Sequence, residues 1–76
     1  MTLKDLAVGD KLRIVGFKNS NREYRRKLLI MGLTPGTEFT LTRVAPLGDP
    51  IEINVRGSSI ILRKREADIL KLEDVL

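Results

Sequence analysis

Ser20, Ser58 and Ser59 are the serines on which nucleophilic catalysis would have to rest, and the chain has no histidine to activate any of them. It has no cysteine either, which removes thiolate nucleophiles, thiolate metal sites and disulfides together. Two close carboxylate pairs, Glu66 with Asp68 and Glu73 with Asp74, would attract a hard cation only weakly. Such a cation needs several convergent oxygens, and these pairs are flanked by lysines and arginines. Glycines stand singly, so no loop cradles a phosphate and no lysine occupies a Walker-type motif. No enzymatic activity, metal or cofactor is therefore expected.

Binding is the chemistry that remains. Lysine and arginine number 14 against 10 carboxylates, a net charge of +4. That excess suits an acidic protein surface, nucleic acid or a membrane face, and equally plain solubility. Arg22, Arg25, Arg26 and Lys27 form one basic group, and Arg63, Lys64 and Arg65, with Arg56 nearby, form another. Nucleic-acid binding by a small basic domain usually interleaves charge with aromatic platforms. Of the aromatics here, Tyr24 and Phe39 fall on core faces and Phe17 ends a strand, which weakens that alternative.

These side chains must be positioned by a single domain. Seventy-six residues stand near the lower limit for one unstapled core, and a hydrophobic fraction of 42% is ordinary for a folded protein. The longest apolar runs, such as Leu28 to Met31, are far shorter than the ~20 residues of a membrane-spanning helix. Met1-Thr-Leu-Lys-Asp5 lacks the features of a signal peptide, so a cytoplasmic location is expected.

Thr2 to Leu6 reads as one capped turn and Val8-Gly-Asp10 as a tight turn. Lys11 to Phe17 alternates as a strand, with Leu12 and Ile14 on one face. Ser20 and Glu23 have the spacing of a capping box, and Glu23 and Lys27 that of a favourable pair one helical turn apart. Tyr24, Leu28 and Met31 then make a core stripe, opposite Arg22, Arg25 and Arg26. Leu29 projects among these arginines and Ile30 lies just beyond them. Either the loop around Pro46 buries both, or at least one belongs to a contact surface.

Gly32 is placed to end the helix in the left-handed conformation, with Leu33 folding back onto Leu28. Thr34-Pro-Gly-Thr37 fits a type II turn. Thr37, Phe39 and Leu41 face inward on the next strand, whose alternation slips at Arg43-Val44 as a bulge would make it. Ile51, Ile53 and Val55 alternate cleanly, Gly57-Ser58 turns the chain, and Ile60 and Leu62 continue inward. Arg63 to Asp68 suits a helical turn, and Leu70 and Leu72 a last strand. The expected fold is mainly β: five short strands curled into a small barrel, one α-helix inserted after the first strand, and a short helical turn before the last.

Three segments, Tyr24-Arg-Arg-Lys-Leu-Leu-Ile-Met-Gly-Leu-Thr-Pro-Gly36, Arg43-Val-Ala-Pro-Leu-Gly-Asp-Pro-Ile51 and Leu62-Arg-Lys-Arg-Glu-Ala67, resemble FeoA, the ferrous iron transport protein A family. The resemblance extends over nearly the whole chain. It implies an SH3-like barrel of the stand-alone form; similar domains also occur at the C-terminus of iron-dependent repressors. It further implies a cytoplasmic bacterial accessory protein that regulates or assembles FeoB, the membrane transporter with a GTP-binding domain. Iron itself is not expected as a ligand, since no histidine or cysteine offers a first shell.

The resulting expectation is a docking module for the cytoplasmic part of that transporter. Leu28, Leu29 and Gly32 would form the helix side of an apolar cleft, with Arg25, Arg26 and Lys27 steering toward an acidic surface. Pro46, Leu47, Gly48, Asp49 and Pro50 would supply the other wall. A sharper variant makes the protein a GTPase activator, with Arg22, Arg25, Arg26 or Arg43 completing the transporter's nucleotide site.

Overall fold

Alternating apolar residues send one side of each strand inward, and the five strands pair in the order β4-β3-β2-β1-β5, every neighbour antiparallel. The computed structural model describes residues 6–18 and 22–75. The strands are β1 (Lys11–Phe17), β2 (Glu38–Val44), β3 (Ile51–Val55), β4 (Ser58–Leu62) and β5 (Leu70–Asp74). Helix α1 (Arg22–Ile30) lies between β1 and β2, and the single turn α2 (Lys64–Ala67) between β4 and β5. This is the expected five-stranded SH3-like barrel with its inserted helix. The capped turn at Thr2 and the capping role of Ser20 fall outside the described residues.

The core is built from Leu12 and Ile14 of β1, Phe39 and Leu41 of β2, Ile51, Ile53 and Val55 of β3, Leu62 of β4 and Leu70 of β5. Leu28, Leu33, Ala67 and Ile69 close it, and Leu6, Phe17, Tyr24, Met31, Ile60 and Leu72 pack around it half-buried. The slip in β2 is real: its register with β3 shifts between Leu41 and Arg43. A second shift, between Ile14 and Gly16 in β1 against β5, had no sequence signal. Arg13 ties three strands across the outer face, with Glu38 on β2 and Glu73 on β5 directly opposite it in register.

Both expected turns around the helix terminus form. Leu33 N–H donates to the Leu28 carbonyl and Gly32 N–H to that of Leu29, each at 3.0 Å, with Gly32 at φ +85°. This is the Schellman arrangement, and Leu28 and Leu33 supply its apolar contact inside the core. Thr37 N–H then donates to the Thr34 carbonyl at 3.0 Å, with Gly36 at φ +93° as a type II turn requires. The β3–β4 turn differs by one residue from expectation. It is centred on Arg56 and Gly57, both at positive φ, and Ser58 already belongs to β4.

Candidate functional site

Helix α1 buries one residue completely, Leu28, and rests Tyr24 and Met31 against the core on the same side. Its other side carries Arg22, Arg25 and Arg26, all exposed. Ile30 is 76% exposed and Leu29 39%, so the loop around Pro46 does not bury them. Of the two readings open at the sequence level, exposure is the one the structure adopts. Leu28, expected to line a docking cleft, is a core residue with no surface to offer. Gly32 likewise acts as the helix stop. The Arg25 guanidinium lies over the Phe17 ring, 5.5 Å from its centroid, an interaction worth ~0.5–1 kcal/mol at an exposed site.

Lys27 also has an internal task. Its ammonium, expected to pair along the helix with Glu23, reaches across to α2, where Nζ stands 2.6 Å from Glu66 Oε2. The Glu66 side chain is only 6% exposed. Its Oε1 accepts the Arg63 amide at 3.0 Å, reaching back to the residue that precedes α2. The ammonium meets Oε2 off the hydrogen-bonding direction, so charge rather than alignment satisfies that oxygen. The Lys27 contact lowers the Glu66 pKa most; desolvation opposes it, and the Arg63 amide adds to the lowering. Glu66 is thus held ionised as a brace between the helices.

The loop between β2 and β3 begins with a turn in which Gly48 N–H donates to the Ala45 carbonyl at 2.7 Å. Pro46 and Gly48 occupy the positions that a type I turn favours for those residues. Leu47 at the tip is 95% exposed. Asp49 Oδ1 accepts the Lys64 amide at 3.0 Å, fixing the loop to the first residue of α2. Pro50 is half-buried.

Helix and loop do face each other, but across a polar groove of about 430 Å³ lined by Tyr24, Lys27, Asp49, Arg63, Arg65 and Glu66. Leu47 and Gly48 belong to a different groove, of about 320 Å³, with Leu6, Leu41, Val44, Ile51 and Lys64. The single apolar cleft expected between Leu28, Leu29 and Gly32 on one wall and residues 46–50 on the other is therefore replaced by two surfaces. One is the basic, aliphatic outer side of α1; the other is the apolar loop tip. Among the described residues, no three carboxylates gather where they could hold a metal ion.

The FeoA domain family matches residues 1–74 of this chain. The chain belongs to the FeoA family. An FeoA-like protein from Clostridium acetobutylicum is 36% identical, with a TM-score of 0.87, covering all of this chain and 87% of that one. Iron(II) transport protein A from Clostridium thermocellum is 43% identical, with a TM-score of 0.85, covering 99% of this chain and 46% of that one. An Fe(2+) transport protein A/Fe(2+) transporter FeoB fusion protein from Porphyromonas gingivalis is 30% identical over 73 residues. That match covers 96% of this chain, which spans 8% of the relative's length.

Glu66, Val44 and Leu6 are the surface and brace residues that sequence reasoning did not single out in these roles in the FeoA domain. Glu66 had a usable signal: it lies three residues beyond Arg63 at the start of a short helix, the spacing at which a glutamate reaches back to a preceding amide.

Proposed function

We propose that this FeoA domain is a non-enzymatic accessory module of ferrous-iron uptake that docks on the cytoplasmic, GTP-binding part of a FeoB-type transporter. One observation carries this reading: the Porphyromonas gingivalis relative, whose name joins an Fe(2+) transport protein A and the transporter FeoB in one chain. Fusion holds two modules at high effective concentration, which serves modules that work in contact.

The chemistry of the surface supports the same reading. Arg22, Arg25 and Arg26 offer long-range attraction to an acidic face, and Leu29 and Ile30 among them offer apolar area that solvent alone does not call for. Leu47 is a second exposed anchor, on a loop tied down by Asp49. Iron is cargo of the system rather than a ligand of this domain, because the chain has neither histidine nor cysteine.

Tagged protein incubated with solubilised membranes tests the reading. A FeoB-type transporter should be the specifically retained membrane protein, and Arg26→Glu should release it while the domain stays folded. Retention of no such transporter, or equal retention by Arg26→Glu, would count against it.

A further inference from the structure

β4 is an edge strand: β3 pairs with one side of it and no described strand with the other. The two are joined by the tight turn at Arg56–Gly57, with Val55 opposite Ser58. The pair that closes such a hairpin exchanges both of its hydrogen bonds, and bonding alternates from there. Ser58, Ile60 and Leu62 therefore bond back to β3, while the amides and carbonyls of Ser59 and Ile61 point to the open side.

Native edges are usually blocked by charges, proline or bulges. The opposite edge, β5, follows that rule with Lys71, Glu73 and Asp74. β4, Ser58-Ser-Ile-Ile-Leu62, carries none of these devices. Ile61 is 62% exposed beside a shallow dent of about 250 Å³ that it shares with Arg43, Ala45, Pro50, Ile51 and Glu52.

Charge selects the occupant. Arg56 stands at one end of β4, and Arg63, Lys64 and Arg65 at the other, all exposed and none in an ion pair among the described residues. A second copy of this chain laid on β4 in either direction would bring one basic end against another, which is unfavourable. An extended segment with acidic ends meets attraction at both.

We propose that the open edge of β4 takes up an extended, acidic-ended segment of a partner protein as a sixth strand, with an apolar side chain of that segment seated beside Ile61. This rests on the reading of the domain as a protein-contact module, but it uses a different face from the outer side of α1.

The test is titration of the full chain, labelled with nitrogen-15, with the capped peptide Asp-Glu-Thr-Val-Thr-Val-Glu-Asp. Amide shifts should concentrate in residues 58–62, and hydrogen exchange at Ser59 and Ile61 should slow. Ser59→Pro removes an outward amide without touching a bond to β3, and Ile61→Asn removes the apolar seat from an exposed position. Each should weaken binding by about tenfold or more, as should lysines at the peptide's ends or N-methylation of its alternate amides.

The proposal is overturned by no shifts in β4 at about 1 mM peptide, by shifts centred on α1, or by undiminished binding of the lysine-ended or N-methylated peptide. Self-pairing of β4 as protein concentration rises would overturn it too. Arg26→Glu should leave this titration unchanged, so failure at β4 and failure of transporter docking through α1 are separate results.

Discussion

A carboxylate taken out of water needs charge beside it, and Glu66 finds that charge on another helix. Replacing Lys27 by Met leaves the carboxylate nearly buried with only the Arg63 amide. Because the lysine side chain is well exposed, the expected loss is about 1–2 kcal/mol, less than for a fully buried pair. In a Glu66→Gln background the same Lys27 change should cost clearly less, and urea unfolding of the two single variants and the double variant measures the difference. The pH dependence has a definite sign. The folded-state pKa of Glu66 lies below the ordinary value of 4.5, so its contribution is present above that value and is lost as pH falls through the lowered one. Glu66→Gln should therefore be less stable than the parent at neutral pH, with the gap closing in acid. Neither this brace nor the Asp49–Lys64 bond was legible in the sequence, since both join residues whose proximity only the folded barrel creates. The charges of Lys27 and Asp49 suggested partner contact; their nearest partners turn out to be internal.

At the scale of elements, the sequence was far more informative, because turns and strand faces are set by neighbours in the chain. Gly32, Leu28 and Leu33 announced the helix stop, Phe39 and Leu41 announced the inward face of β2, and the broken alternation at Arg43-Val44 announced the slip in its pairing. Gly32 meets nothing within 4 Å where a Cβ would stand, so Gly32→Ala tests conformation alone. The positive φ should cost about 1–2 kcal/mol, read as a lower thermal midpoint. Arg56 offers the reverse test. At φ +52° and followed by Gly57, it fills the first position of a turn that favours Asn-Gly. Arg56→Asn should stabilise the hairpin by about 0.5–1 kcal/mol, raising the midpoint by a few degrees. The bulge in β1 near Gly16 stayed hidden, because one glycine in an otherwise alternating strand does not reveal which neighbour shifts.

At the scale of the molecule, the barrel uses its apolar residues economically, and those left outside stand out. Leu29 and Ile30 on α1, Leu47 on the β2–β3 loop and Ile61 on β4 are exposed in a protein with few aromatics to serve as anchors. Amphipathic spacing showed that α1 had a basic outer side with aliphatic residues in it. It could not show that Leu47 lines a groove with Leu6, Leu41 and Val44 rather than one with α1, since the placement of a loop tip depends on the anchoring of Asp49 and the register of β2 with β3. If arginine steering contributes to docking, association should slow as salt rises, while the apolar contribution persists.

Calorimetric titration of the soluble GTP-binding part of a FeoB-type transporter with this chain tests the central claim most directly. Saturable binding is predicted, weakened about tenfold or more by Arg26→Glu combined with Ile30→Asp in a domain whose fold is unchanged. Absence of binding by the parent chain, or binding undiminished in the double variant, would contradict the assignment of docking to the outer side of α1.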